Sequence, residues 1–348
     1  MAVPAIYLNK LLADTAKKGA SSLHLSVGSS PIMRIGGRLV LLEEEDIITT
    51  DLAEEIIKSF VDDEDFKKLQ KEKNLVLVKN FAGDFRFRVN IFYQRNTPSV
   101  SFNYISGVIR SLGDLDLPPQ ITDSIRLNSG LLVLVGPDNS GKTNTAAAFI
   151  EEINKTRKRY VITLENPIEY VFINKKSVIE QREVGRDVVS YFDGLEHCLN
   201  EDVDVVYIDE MKKDFEKAAP LILDLASGNA LVILEINAEN SIRAIEKIIS
   251  AVSKAGAGEA VRHNLADVLI GVIAHRLIPG RGGDLVLAKE ILVSTSPIKA
   301  LIREGKIYQI ENTLQISKRD GMVSLEKSTQ ELIENEKITR EEADKFKI

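Results

Sequence analysis

A glycine-rich stretch that ends in a lysine and a threonine is the part of this sequence with the clearest chemistry. Residues 136–143 read GPDNSGKT, a full match to the pattern G-x-x-x-x-G-K-[ST]. The backbone N–H groups of such a loop bind phosphates, with Lys142 against the β- and γ-phosphates and the Thr143 hydroxyl on Mg²⁺. The residues that we expect to contact a nucleotide here are Gly136, Ser140, Gly141, Lys142, Thr143 and Thr145.

The flanking residues supply the elements that this motif requires. An apolar run at 131–135 predicts a buried strand before the loop, and the alanines at 146–148 predict a helix after it. Without these neighbours, the match could be a glycine-rich turn that happens to precede a helix. With strand, loop and helix in this order, the sequence predicts a P-loop that binds ATP and Mg²⁺.

Two acidic stretches follow predicted strands downstream of the loop. The apolar run 203–208 ends in Asp209 and Glu210, the Walker B arrangement in which one acid holds Mg²⁺ through water. Glu165 stands at the end of the predicted strand 160–164, where a carboxylate could orient or deprotonate the attacking water. For this second stretch, spacing alone is explained equally well by a solvated loop.

Composition limits the class of protein. The 348 residues are 44% hydrophobic and 28% charged, as in a globular protein of about two domains. The net charge of −7 favours neither nucleic acid nor an anionic membrane surface as a partner. The lone Cys198 excludes an internal disulfide. The N-terminus lacks a signal-peptide core, and no apolar run approaches the ~18 residues of a membrane span. We therefore expect a cytoplasmic protein that does not insert into a membrane.

The predicted elements divide the chain into two domains. Residues 1–105 combine helical patterns at 5–18 and 52–70 with short strands of an antiparallel-looking sheet. Residues 106–119 contain glycines and a proline pair, and we assign them to a linker. In residues 120–348 strands alternate with helices, which is typical of a parallel α/β sheet, and the end is mostly helical. The strands predicted there are 131–135, 160–164, 203–208, 231–236, 269–274 and 285–292.

Taken together, the motifs resemble those of the type IV pilus retraction ATPases, the PilT group of secretion ATPases. The sequence EQREVGRD at 180–187 is a highly specific match, and VITLENPIEY at 161–170 resembles the aspartate box of that family. Matches also occur at 20–39, at 85–95 (FRFRVNIFYQR) and at 297–306 (PIKALIREGK). The resemblance therefore covers nearly the whole chain.

This resemblance implies a RecA-like P-loop NTPase core of the α/β class, preceded by a smaller α+β PAS-like domain and assembled as a homohexamer. It implies an ATP-hydrolysing motor for pilus retraction and twitching motility, peripheral at the inner membrane face, with a pilus platform protein as partner. In such a ring arginines reach the nucleotide, and Arg86 and Arg88 are the candidates by motif position. The alternative is a pair of surface arginines on one face of a strand.

Several residues depart from the pattern of that family. Asn237 replaces a histidine; it can donate a hydrogen bond to a phosphate but cannot carry a charge or shuttle a proton. Asn166 replaces the aspartate of the aspartate box, which leaves Glu165 as the expected base. Asn103 replaces an arginine, and Asp138 must point away from the phosphates.

These departures leave two functions open. In the first, an active motor, Glu210 orders the metal and the water, Glu165 is the base, and Arg86 and Arg88 complete the site. The alternative is a weakly active or inactive paralogue that binds ATP as a regulatory ring subunit. A nucleic-acid translocase is disfavoured, because the chain lacks tryptophan and a basic stripe with aromatic stacking residues. We therefore predict an ATPase with normal ATP binding and slow turnover.

Overall fold

The polypeptide folds into two compact units. The structure is a computed structural model that describes residues 4–81, 83–253 and 258–345. The first unit consists of Met1–Val108 and Pro279–Leu285, and the second consists of Ile109–Ile278 and Val286–Ile348. The first unit thus includes a short segment from the part of the sequence assigned to the second domain. In addition, the segment 106–119 contains a 3₁₀ helix, Leu112–Leu115, whose two leucines are buried.

The first unit is built on an antiparallel sheet. Its strands have the spatial order β3-β2-β1-β6-β5-β4, and each pairs antiparallel with its neighbour. Leu8, Leu11 and Leu12 recur on one face of the first helix and are buried there, as the apolar spacing of that segment predicts. The elements are α1 (Pro4–Lys17), β1 (Ser22–Ser26), β2 (Ile32–Ile35), β3 (Arg38–Leu41), α2 (Thr50–Lys58), α3 (Asp63–Glu72), β4 (Asn74–Phe81), β5 (Phe85–Gln94) and β6 (Thr97–Ile105).

The prediction of a single helix at 52–70 is wrong in one respect, because two helices occupy that stretch. The first begins after Thr49, whose hydroxyl accepts a hydrogen bond from the Leu52 amide. The second begins after Asp62, whose carboxylate accepts one from the Asp65 amide at 2.8 Å. An N-cap of this kind satisfies an amide that would otherwise lack a partner, so it favours a helix start at Asp62 over a continuous helix.

The second unit is an α/β structure, as the sequence predicts. The strands predicted there are all present, and the α-helices lie mainly between them and at the end of the chain. In chain order its elements are α4 (Pro119–Thr122), β7 (Gly130–Val135), α5 (Lys142–Thr156), β8 (Tyr160–Glu165), β9 (Val178–Glu183), α6 (Tyr191–Leu199), β10 (Val205–Ile208), α7 (Phe215–Ser227), β11 (Leu231–Ile236), α8 (Ser241–Ser253), α9 (Gly258–Val268), β12 (Leu269–Pro279), β13 (Leu285–Val293), α10 (Ser296–Arg303), α11 (Ile310–Ile316), α12 (Leu325–Glu334) and α13 (Arg340–Asp344).

The sheet of this unit has the order β13-β12-β7-β11-β10-β8-β9. The strands from β12 to β9 pair in parallel, so their carboxyl ends meet at one edge. Alternate residues of β7 belong to hydrophobic clusters on opposite faces: Leu131 and Val133 on one, Leu132 and Leu134 on the other. A strand buried on both faces is a rigid base for the loop at its carboxyl end.

Candidate functional site

The glycine loop connects the buried strand β7 to α5. Gly136 has a φ of +149°, and a Cβ there would lie 2.5 Å from Ser140 Oγ and 2.7 Å from the His275 carbonyl oxygen, so only glycine fits. Asn139 has a φ of +60°, the left-handed conformation that asparagine tolerates better than most residues. Gly141 caps α5 without a side chain, so the first amides of the helix remain available to an anion.

Lys142 is the first residue of α5, and the carbonyl groups of the loop bind its ammonium group. Its Nζ donates to the carbonyl oxygens of Gly136 and Pro137, each at 2.8 Å. The same ammonium group forms an ion pair with Glu210 Oε2 at 3.0 Å, although the lysine is only 5% exposed. The structure therefore brings together the P-loop cation and the Walker B acid that the sequence predicted. An arriving phosphate would replace these oxygens as the partner of Lys142.

Asn237 joins the same cluster from the end of β11. Its Nδ2 donates to Glu210 Oε1 at 3.3 Å, so one carboxylate of the site contacts both Lys142 and Asn237. The carbonyl oxygen of Asn237 accepts a hydrogen bond from Lys247 Nζ at 3.0 Å. The residue that stands where the family it resembles has a histidine thus lies beside Glu210. Its predicted contact with a phosphate stays a prediction.

Thr143 contacts an acid that the sequence analysis missed. Its hydroxyl donates to Glu235 Oε2 at 3.4 Å, and Glu235 Oε1 accepts from the Tyr207 hydroxyl at 2.7 Å. Glu235 is fully buried, and burial raises the pKa of its carboxyl group to about 8. The available signal was an acid near the carboxyl end of an apolar strand, the position at which ligands bind in such sheets.

Glu165 and Asp209 lie at the carboxyl ends of the neighbouring strands β8 and β10. Burial raises the pKa of Glu165 to about 8, against hydrogen bonds from the Thr163 hydroxyl at 2.6 Å and Gln181 Nε2 at 3.1 Å. Asp209 accepts a hydrogen bond from the Asn166 amide at 2.7 Å and another from the Tyr191 hydroxyl. Asp209 therefore fixes the start of the loop that follows Glu165.

Thr145, one of the predicted nucleotide contacts, turns its hydroxyl to a buried histidine instead. Thr145 Oγ1 lies 3.0 Å from His275 Nε2, and His275 Nδ1 lies 3.2 Å from the Val135 carbonyl oxygen. Since a carbonyl only accepts, Nδ1 carries the proton and Nε2 accepts from Thr145. Burial lowers the pKa of His275 to about 4, which keeps the ring neutral. In this arrangement the Thr145 side chain fastens α5 to β7 and β12.

The remaining loop residues, Asp138 and Ser140, differ in solvent exposure. Asp138 is 60% exposed and pairs with Lys212 Nζ at 3.6 Å, so it points outward, as its charge requires. Ser140, by contrast, is buried, and among the described residues its hydroxyl has no hydrogen-bond partner. An unpaired buried hydroxyl next to a phosphate loop is a group that a bound nucleotide could satisfy.

Arg86 and Arg88 lie on β5 of the first unit, whereas the loop belongs to the second unit. Both side chains project from the same face of the strand, since alternate residues of a strand share a face. Arg86 Nη1 donates to Asn80 Oδ1 on β4 at 3.2 Å, and Arg88 stands opposite Asn103 of β6 in the strand register. Their role at the nucleotide stays a prediction.

The parallel sheet, the glycine loop with its lysine, and the acids at the ends of the adjacent strands define a P-loop ATPase. Within the described parts of the chain, no helix has the length and apolar character needed to cross a bilayer. The family model of the type II/IV secretion system proteins matches residues 3–335. The chain therefore belongs to that family.

Three known proteins are similar to the chain over most of its length. The chain is 32% identical to the type IV pilus retractation ATPase PilT of Pseudomonas aeruginosa, over 98% of each protein. A twitching motility protein of Neisseria gonorrhoeae is 30% identical over 90% of this chain and 83% of its own. The type IV pilus ATPase PilU of P. aeruginosa is 27% identical over 96% of this chain and 87% of its own.

Solved structures agree with the fold. A crystal structure of the pilus retraction motor PilT with bound ADP matches with a TM-score of 0.82 and 31% identity, over 98% of this chain and 96% of that one. This confirms the predicted class, an α/β ATPase core preceded by a smaller domain. The ATPase DotB of Legionella pneumophila has the same fold, with a TM-score of 0.83 at 18% identity over 98% and 95% of the two chains.

Proposed function

We propose that this chain is an ATP-binding and hydrolysing motor that drives type IV pilus retraction and twitching motility. The observation that carries the proposal is the ion pair between Lys142 Nζ and Glu210 Oε2, which lie 3.0 Å apart. It supports a role for Lys142 as the phosphate-binding cation and for Glu210 as the acid needed for hydrolysis. The end-to-end similarity to a pilus retractation ATPase supports the biological setting.

The loop residues have the chemistry that a nucleotide and Mg²⁺ require. The amides at the start of α5 bind phosphate oxygens, and Lys142 moves from the loop carbonyls to the β- and γ-phosphates. The Thr143 hydroxyl and the Glu210 carboxylate are oxygen ligands, and Mg²⁺ in proteins takes one or two such groups together with substrate phosphates. When bound, Mg²⁺ neutralises charge that develops on the phosphate oxygens.

Hydrolysis then needs a group that accepts a proton from the attacking water. Glu210, released from Lys142 by the phosphates, orders the water. Glu165 is the proposed base, because it lies at the adjacent strand end and its pKa of about 8 favours proton acceptance. Gln181 and Thr163 hold its carboxyl group in place. Arg86 and Arg88 supply positive charge to the transition state.

The alternative, a weakly active or inactive regulatory paralogue, is not favoured. Lys142 and Glu210 are both retained and lie in contact; a subunit that only binds ATP needs the lysine, but it does not need the acid proposed for hydrolysis. The replacement of a histidine by Asn237 still affects the rate, which is why we expect slow turnover and normal affinity.

The assembly and its location complete the proposal. We place the chain in a homohexameric ring in the cytoplasm, at the inner membrane face, with a pilus platform protein as its partner. Neither nucleic acid binding nor direct membrane insertion is part of this function. The similarity to PilT over the whole chain supports this placement.

The test is Lys142→Ala, with phosphate release and ATP binding as readouts. Loss of the cation that faces the β- and γ-phosphates should abolish most ATP affinity or hydrolysis. Lys155→Ala is the matched control, because Lys155 lies on the same helix, is 48% exposed and pairs with Glu151. ATP binding that survives Lys142→Ala unaltered would refute the site.

A further inference from the structure

Tyr207 and Glu235 are polar residues in two strands whose other residues are apolar. β10 reads VVYI and β11 reads LVILEI, and every residue of both strands is buried. The Tyr207 hydroxyl donates to Glu235 Oε1 at 2.7 Å. A buried carboxyl group destabilises a fold unless it is hydrogen-bonded or serves a bound ion, so packing alone does not explain a glutamate here.

The position of Glu235 points to the nucleotide loop. β11 lies between β7, which leads into the loop, and β10, which ends two residues before Glu210. Glu235 stands opposite Leu134 in the register, two residues before the loop begins. Its second carboxyl oxygen, Oε2, lies 3.4 Å from the Thr143 hydroxyl, which donates to it. The chain of contacts thus runs from Tyr207 through Glu235 to the hydroxyl that we propose as a magnesium ligand.

We propose that Glu235 is a positioning residue of this site, which fixes the Thr143 hydroxyl so that its lone pairs face the divalent cation. The inference rests on the proposed function in one respect, the binding of Mg²⁺ by Thr143. A hydroxyl has one proton and two lone pairs, so donating the proton to the ionised Glu235 carboxylate, the form that accepts from Thr143 and Tyr207 together, leaves a lone pair for the metal. Tyr207 in turn fixes the orientation of the Glu235 carboxyl group.

The expected size of the effect follows from other metal sites. Partners that orient a ligand from the outer shell typically change metal affinity by roughly ten- to hundredfold when they are lost. Glu235→Gln keeps the size of the side chain and an oxygen for Tyr207. Its amide, however, donates toward Thr143 and so occupies the lone pair that the metal needs.

The experiment measures the affinity of Mg²⁺ for the complex of the full-length protein with ADP, and separately the affinity of ADP without Mg²⁺. We expect Glu235→Gln to weaken Mg²⁺ binding roughly tenfold or more while the metal-free ADP affinity stays as in the wild type. Glu239→Gln is the control, since Glu239 is exposed a few residues further along the same segment. An equal loss of ADP affinity with and without Mg²⁺ would show a merely structural role and overturn the inference.

A double-mutant cycle with Thr143→Ala identifies the route of the effect. If Glu235 acts through Thr143, Glu235→Gln should weaken Mg²⁺ binding no further once Thr143 is alanine. Additive losses would mean that Glu235 contacts the metal by itself, and would overturn the positioning role. Tyr207→Phe, which preserves the ring and leaves Glu235 in place, should give a smaller loss of the same kind, and it serves as the test if Glu235→Gln does not fold.

The two hypotheses fail in different ways. A wild-type protein whose ADP binding is insensitive to Mg²⁺ would refute the magnesium site, and with it the inference. A wild-type protein that binds Mg²⁺ together with ADP, combined with an unchanged Mg²⁺ affinity in Glu235→Gln, would refute only the role of Glu235.

Discussion

Asn237 is the residue at which this site departs most from the chemistry of the family that the chain resembles. Its amide donates to Glu210, which also pairs with Lys142, so it lies where a charged or proton-transferring side chain could act on the γ-phosphate. An amide can make the contact but adds no charge to it. Contacts of this kind act mainly in the transition state, so their loss lowers kcat and leaves affinity nearly intact.

Asn237→His should therefore raise kcat without changing ATP affinity. Single charge-assisted contacts in such sites are worth on the order of 10²–10³ in rate. Steady-state phosphate release and ATP titration measure the two quantities. Glu239→His, which adds the same side chain at an exposed position two residues away, should have no effect. Fast turnover of the wild type, or a variant that binds ATP with no gain in rate, would contradict the prediction.

The raised pKa of Glu165 predicts a pH dependence of turnover. With a pKa of about 8, roughly a tenth of the side chain is ionised at pH 7, and only the ionised form accepts a proton. We expect kcat at saturating ATP to rise by roughly tenfold between pH 7 and pH 9. Glu165→Gln should lower kcat by about 10²–10⁴ and leave ATP binding intact.

A second buried acid means that the pH profile alone does not identify the base. Burial also raises the pKa of Glu235 to about 8, so both acids titrate in the same range. The loss of hydrolysis in Glu165→Gln, and not the pH profile alone, therefore assigns the base. Wild-type turnover in that variant would remove Glu165 from the mechanism, and so would a kcat that falls as the pH rises.

Single residues with a local signature could be predicted from the sequence, and those defined by distant contacts could not. Lys142 and Glu210 stand in motifs, and the structure brings them into contact. The contact between Thr143 and Glu235 joins residues 92 positions apart, and that between Thr145 and His275 joins residues 130 apart. Neither glutamate nor histidine has a local pattern that says which residue it will face.

At the scale of elements, the loop between β8 and β9 depends on one buried side chain of α5. Asn154 is fully buried and donates to the Ile173 carbonyl oxygen at 2.9 Å. Its Oδ1 accepts from the Lys175 amide at 3.0 Å. The same loop carries Tyr170, whose hydroxyl donates to Asn144 of α5. Asn154 thus fixes the backbone of the segment that follows Glu165 and leads into β9.

Asn154→Ala should lower the free energy of unfolding by about 1–3 kcal/mol, because it removes two hydrogen bonds between α5 and the loop backbone, each worth about 0.5–1.5 kcal/mol. Urea unfolding of both proteins measures the difference. Asn312→Ala is the control: Asn312 is exposed on α11, and alanine is the better helix former there. An Asn154→Ala protein as stable as the wild type would mean that the loop finds other partners.

Strand β9 shows why one element escaped prediction. It reads VIEQRE and lies at the edge of the seven-stranded sheet, where only one of its residues is fully buried. An edge strand needs few apolar residues, so its hydrophobic signal is weak, whereas the central strands are apolar throughout. The same weakness affects helix ends, and the split between α2 and α3 depends on the capping role of Asp62.

At the scale of the whole molecule, the ring is the open prediction. The protein should be hexameric at micromolar concentration with ATP and Mg²⁺, since the arginines proposed for the site and Lys142 belong to different units of the chain. Light scattering coupled to size exclusion measures this. A protein that stays monomeric under these conditions would count against the ring.

Mixed rings test whether the arginines act across a subunit boundary. Lys142→Ala and Arg88→Ala subunits should each hydrolyse ATP poorly alone. In a mixture, some sites combine an intact lysine from one subunit with an intact arginine from another, so turnover should exceed that of either parent. Mixed rings without any such gain would place the arginine and the lysine of each site in the same subunit.

The first unit is not encoded by a continuous part of the gene. Pro279–Leu285 belongs to it, although this segment lies between two stretches of the second unit. A recombination that moved only the first 108 codons would deliver the unit without one of its pieces, and an exchange of the remaining codons would take that piece away. The two units are therefore expected to be inherited together. Substitutions in one unit are then selected in the presence of the same version of the other unit.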